Sequence, residues 1–219
     1  YFSAQISELS GDKLSAAQAD LRFAALVAEQ MDYAALLAAA KVLARLADDL
    51  WLQQAGAAFR KPQTPVPAPP GITGDVWLVR ESPAGLIVVA GPGPNTYELD
   101  GRVALVLDLG GGDTYRGAIA AGADADHGIS VVIDLAGNDT YHASPLGLAT
   151  GRLGIGLLVD HAGNDVYHLS HGSGGTGFAG IGVLYDRAGD DQYLGAAFTQ
   201  GAALGGLGLL LDGGGNYRY

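Results

Sequence analysis

The stretch ISVVIDLAGNDTY (129–141) decides the fold, because the chain writes it twice more, as IGLLVDHAGNDVY (155–167) and IGVLYDRAGDDQY (181–193). Looser copies, VALVLDLGGGDTY (103–115) and LGLLLDGGGNYRY (207–219), flank these three. Asp108, Asp134, Asp160, Asp186 and Asp212 stand 26 residues apart, as do Tyr115, Tyr141, Tyr167, Tyr193 and Tyr219. A fainter copy, AGPGPNTY (90–97), precedes them. A fixed period of this size means a solenoid, propeller or array. Before each Asp, large apolar residues alternate with lighter ones: Val103, Leu105 and Leu107, then Ile129, Val131 and Ile133, then Ile155, Leu157 and Val159. Ile181, Val183 and Tyr185 follow, then Leu207, Leu209 and Leu211. Period two is a β-strand. A propeller blade needs roughly 40 residues or more, so each unit is one coil of a parallel β-solenoid, or β-helix.

The heavier face of these strands is expected to point into the coil. The lighter face carries Gly or Ser and then Val or Leu, with no charge before the Asp. It should be covered, by the Ala-rich N-terminal helices or by a partner chain. Each strand runs into a turn where Asp134 and its copies read as caps on nearby backbone N–H groups. Gly137 and its copies read as residues with positive φ. The Tyr column reads as a stacked ladder.

Outward from the repeats, three further regions appear. Residues 1–60 form an α-helical N-terminal region, Ala- and Leu-rich with no Pro. Its N-cap candidates are Asp12 and Ser15, with a break at Met31-Asp32. Leu36, Leu43 and Leu50 fall seven apart with Ala40 and Ala47 between them, a narrow seam for docking. Residues 61–74, KPQTPVPAPPGITG, are a Pro-rich extended linker. Residues 75–102 hold a strand pair and the degenerate first repeat, and 103–219 the solenoid proper. The fold class is mainly β.

Composition removes several functions. The chain has 35 Gly in 219 residues without a collagen period, and 48% hydrophobic against 16% charged residues excludes disorder. A net charge of −11 repels phosphate backbones, so no nucleic-acid partner is expected. Gln192–Leu211 is uncharged over twenty residues, but its Gly content and repeat register assign it to the solenoid, not to a membrane span. Cys is absent, so disulfides play no part. The sequence begins at Tyr1, which fits a processed or trimmed product, and a removed signal peptide is one such case.

Stacking places Asp113, Asp139, Asp165 and Asp191 one above another, with Asn138, Asn164 and Asp190 beside them and the Asp108 column near. Residues 103–219 contain twelve Asp and four Arg. Like carboxylates at coil spacing must raise their pKa values, find donors or share a cation. Oxygen-only ligands on Gly-rich turns favour Ca²⁺.

The segments GNDTY (137–141), GNDVY (163–167) and GDDQY (189–193) resemble the second half of the hemolysin-type, or RTX, calcium-binding nonapeptide. In that family turn glycines, carbonyls and the Asp bind Ca²⁺ between coils of a β-roll. The resemblance implies Ca²⁺ at Asp139, Asp165 and Asp191, and more weakly at Asp113. It covers five residues per coil, once per 26, and the leading Gly-Gly is replaced by Asp-Leu, Asp-His and Asp-Arg. A solenoid whose carboxylates bond to backbone instead of metal stays open beside it.

Other chemistry is thin. His142 and His168 share a column with Arg116 and Leu194, and no third metal ligand stands with them. Polysaccharide lyases and hydrolases use β-helices, but their sites break the symmetry of the coils, and no Lys follows Lys61. Thr114 and Thr140 give way to Val166 and Gln192, which excludes an ice-binding Thr array. The expected function is a non-catalytic, extracytoplasmic structural or assembly protein, secreted, periplasmic or on the cell surface. The alternative is a carbohydrate-binding or carbohydrate-cleaving β-helix. Other protein chains are the expected partners, through the outer strand face or an open C-terminal solenoid edge. The chain stops inside a coil after the strand 207–211, so either more protein or a neighbouring chain is expected there.

Overall fold

The structure is a computed structural model that describes residues 29–59, 63–122, 127–195 and 197–219. Asp12, Ser15 and the first two linker residues, Lys61 and Pro62, lie outside the described residues. The chain is a parallel β-solenoid with three faces. The first sheet stacks β5 (Val103–Asp108), β7 (Ile129–Asp134), β10 (Ile155–Asp160), β13 (Ile181–Asp186) and β16 (Leu207–Asp212) in parallel. Its register is the sequence period, with Leu157 opposite Val183 and Asp160 opposite Asp186. β3 (Gly85–Ala90) extends this sheet in parallel, and β2 (Val76–Ser82) closes it antiparallel.

The second sheet stacks β4 (Thr96–Asp100), β6 (Thr114–Ile119), β8 (Thr140–Leu148), β11 (Val166–Leu169) and β14 (Gln192–Gly195). Thr96–Asp100 pairs in register with Thr114–Ala118, so the degenerate repeat is a true, shortened coil. β1 (Ile72–Thr73), at the end of the Pro-rich segment, adds antiparallel to β4. The third face is short: β9 (Gly151–Arg152), β12 (Gly177–Phe178) and β15 (Ala203–Leu204).

The two faces of the first sheet are the reverse of the sequence expectation. Val106, Val132, Leu158 and Leu184, from the lighter face, lie inside the coil with the Tyr column, Ile119 and Leu148. The heavier face points outward. Leu107, Val131, Ile133, Leu157 and Val159 form a second core beneath Trp51, Leu52 and Ala55 of the N-terminal helices and Phe59, which caps the last of them. Val103 alone of the heavy set joins the inner core. The reason is room. The other walls fill the coil with five tyrosines and a column of carboxylates, which leaves space only for small partners. A Cβ on Gly156 would sit 2.6 Å from the Thr150 carbonyl oxygen, a distance real Cβ atoms do not tolerate. Beyond the helices the outer face stays open, with Leu207, Leu209 and Leu211 exposed.

The helices match the expected break at Met31-Asp32. Asp32 caps α1 (Tyr33–Leu43), accepting from the Ala35 N–H at 2.9 Å. A 3-10 turn, Ala44–Ala47, leads to α2 (Asp49–Ala58), capped by Asp48. That turn resets the helical phase, so the seven-residue seam fails at its last member. Leu50 is exposed and Leu52 takes the buried place. The Arg187 guanidinium anchors the turn, ion-paired with Asp49 and donating to the Ala47 carbonyl (3.3 Å). No helix among the described residues is long and apolar enough to cross a membrane.

Candidate metal centre

The turn between the first and second sheets brings two carboxylate columns together. The first is Asp113, Asp139, Asp165 and Asp191, all buried. Each backbone N–H donates to the carboxylate of the coil that follows: Asp113 to Asp139 (2.6 Å), Asp139 to Asp165 (2.6 Å) and Asp165 to Asp191 (2.8 Å). Asn95 begins the series, donating to Asp113 at 2.6 Å. The turn glycine packs against the carboxylate that follows it. A Cβ on Gly137 would lie 2.7 Å from Asp139 Oδ1 and would also strike the Gly111 carbonyl. Of the five copies, only Gly111 and Gly215 have positive φ. Glycine at 137, 163 and 189 therefore answers close approach between coils, not the left-handed turn the sequence suggested.

The second column is Asp108, Asp134, Asp160 and Asp186, at the inward ends of the first-sheet strands and without exposed surface. Capping is part of its work, since Asp108 and Asp134 accept from the N–H groups of Gly110 (2.8 Å) and Ala136 (3.1 Å). The larger part was not read from the sequence. Tyr97 donates its hydroxyl to Asp108, Tyr115 to Asp134 (2.6 Å), Tyr141 to Asp160 (2.6 Å) and Tyr167 to Asp186 (2.8 Å). The rings stack as expected, 4.5–4.8 Å apart from Tyr97 to Tyr193. The signal was present: Tyr115, Tyr141, Tyr167 and Tyr193 each precede an Asp of the other column by a constant 19 residues.

The columns meet in three clusters: Asp108, Asp113 and Asp134; Asp139, Asp160 and Asp165; Asp165, Asp186 and Asp191. In each, carboxylate oxygens from all three residues lie within 4.8 Å of one another. The second and third clusters are short of partners. Asp139 Oδ2, Asp160 Oδ1, Asp165 Oδ2, Asp186 Oδ1 and Asp191 Oδ2 are buried with no hydrogen bond, and so is Asp113 Oδ2 in the first. Burial, aided by neighbouring carboxylates, pushes Asp134 and Asp160 well above the usual range. The same causes raise Asp113 and Asp165 to about 8, and burial raises Asp139 to about 6 and Asp186 to about 7. Groups so placed take a proton or a cation. Three convergent carboxylates with orphaned oxygens and no nitrogen or sulfur donor fit a hard divalent ion.

Asp190 is in none of these clusters, and Asn138 and Asn164 stand beside it. They form a ladder of their own at the exposed rim of the turn, where the N–H of Asn164 donates to Asn138 Oδ1 and that of Asp190 to Asn164 Oδ1, both at 2.8 Å. On the second sheet His142 and His168 stack at 4.5 Å between Arg116 and Leu194. Burial and the neighbouring His168 lower the His142 pKa. No family model, curated protein or solved structure matches the chain. The likeness to RTX repeats rests on the pentapeptide and on the stacked coils alone.

Proposed function

We propose that the chain is a non-catalytic structural or assembly protein working outside the cytoplasm, its coils braced by Ca²⁺ held between buried aspartates. The orphaned oxygens of Asp139, Asp160, Asp165, Asp186 and Asp191 carry this reading. In a dry core an unpartnered carboxyl must be protonated or lie beside a positive charge, and near neutral pH a shared cation offsets several such groups at once. Ca²⁺ is preferred over Mg²⁺ because adjacent turns offer many oxygens without a strict octahedron, and extracellular modules bind Ca²⁺ at about 10⁻⁴–10⁻³ M. Because each cluster joins residues of successive coils, a bound ion would lock the stack and stiffen the rod. The open outer face at Leu207, Leu209 and Leu211 supports contact with another protein chain.

Calorimetric titration of metal-stripped protein with Ca²⁺ tests the proposal. Saturable binding that is lost in Asp165→Asn, a change touching two clusters at once, is the expected result. No heat above dilution would remove calcium from the account.

A further inference from the structure

We propose that the buried columns hold two calcium ions bridged by Asp165, and that Asn95 closes the first coil to a further ion. The inference rests on the calcium reading above and adds its count, its bridging ligand and the residue that limits it. Two of the clusters share one plan: an Asp of the Asp113 column, the next Asp of the Asp108 column, and the next of the Asp113 column. Asp139, Asp160 and Asp165 make one such trio, and Asp165, Asp186 and Asp191 the other. In both, every member brings one buried oxygen without a hydrogen bond. Oxygens within 4.8 Å of one another can meet a single Ca²⁺ at about 2.3–2.6 Å. Asp165 belongs to both trios. Its Oδ1 accepts from the Asp139 N–H, and its Oδ2 has no partner. Ions one coil apart, about 4.8 Å, repel strongly, and a carboxylate between them offsets that repulsion.

Towards the first coil, donors from the chain occupy the oxygens instead. Asp134 uses both of its own, accepting from Tyr115 (2.6 Å) and from the Ala136 N–H (3.1 Å). The cluster of Asp108, Asp113 and Asp134 keeps one unpartnered oxygen, Asp113 Oδ2. The trio plan would begin at position 95, and there the chain places Asn. Thr96 pairs with Thr114, which puts Asn95 in the column of Asp113. Asn95 Oδ1 accepts the Asp75 N–H (2.6 Å), as Asp139 Oδ1 accepts the Asp113 N–H (2.6 Å). The amide Nδ2 therefore takes the place of the free oxygen of Asp139, and it donates to Asp108 at 3.2 Å. Tyr97 and the Gly110 N–H complete the donors to Asp108. An amide built into the chain does there what an ion does in the later trios. At the other end Tyr217 stands 26 residues after Asp191 and offers no carboxylate.

The test counts Ca²⁺ bound to the full chain by equilibrium dialysis, with thermal melting to check that each variant is folded. Wild-type protein is expected to hold two ions. Asp160→Asn and Asp186→Asn should each leave one, and Asp165→Asn should leave none. Asn95→Asp keeps the acceptor for the Asp75 N–H, completes a trio with Asp108 and Asp113, and should raise the count to three. No bound Ca²⁺ in any of these proteins overturns the calcium reading and this inference together. One ion or three in the wild type, one remaining in Asp165→Asn, or a folded Asn95→Asp that stays at two overturns this inference and leaves the calcium reading standing.

Discussion

Two hydrogen-bonded ladders climb the same turns and differ in what surrounds them. The Asp113–Asp191 ladder passes each backbone N–H to the carboxylate of the following coil, and the Asn138–Asp190 ladder passes it to the side chain of the preceding coil. The bonds have nearly the same length, 2.6–2.8 Å, so geometry does not distinguish them. Burial does. On the exposed rim, water serves the remaining side-chain atoms, and Asn does as well as Asp. Inside, the second carboxylate oxygen has no water, and a proton or cation must stand in. The dry column carries Asp in every coil from Asp113 to Asp191, whereas the wet one takes Asn at 138 and 164 and Asp at 190.

The comparison can be broken by mutation. Asp165→Ala should give the largest effect, roughly 3 kcal/mol, because it orphans the buried Asp139 N–H and removes a member of two clusters. Denaturant unfolding at constant m-value reads it. Tyr141→Phe should cost less, about 1–2 kcal/mol, since only the bond to Asp160 is lost while the ring stack remains. Asn164→Ala, the wet counterpart of Asp165→Ala, should stay within about 0.5 kcal/mol because water replaces the lost acceptor. Equal losses at positions 164 and 165 would show that burial is not what separates the ladders.

The solenoid, its period, its register and the Tyr ladder were legible because stacking makes sequence columns into spatial columns. Asp139, Asp165 and Asp191 were legible for the same reason. What alternation could not reveal was the sign of the faces. It separates two sides of a strand, but not which one turns inward, and hydrophobic bulk pointed the wrong way. Leu157 and Val159 are large because helices cover them, and Gly156 and Leu158 fit a coil already filled by Tyr141, Tyr167 and Asp160. The Asp160 column was near the site in the sequence reading but became part of it only through packing across the coil. The failure at Leu50 has a local cause, the 3-10 turn before Asp48, which no periodicity marks.

Thermal melting across pH, with Ca²⁺ and with EDTA, tests the central claim most directly. Burial raises the folded pKa values of these aspartates above the ordinary carboxylate value, to about 6 at Asp139 and about 8 at Asp113 and Asp165. Such groups take up protons on folding. Without metal, their contribution is therefore full below about pH 4 and is lost as pH rises towards 8. In EDTA the melting temperature should fall steadily over that window. Ca²⁺ bound only by the folded turns should restore it at pH 8, by about 2.7 kcal/mol per site at a hundred times its dissociation constant, and should have little effect at pH 4. A melting temperature at pH 8 that is the same in Ca²⁺ and in EDTA would contradict the account and leave the carboxyl columns held by protons and hydrogen bonds alone.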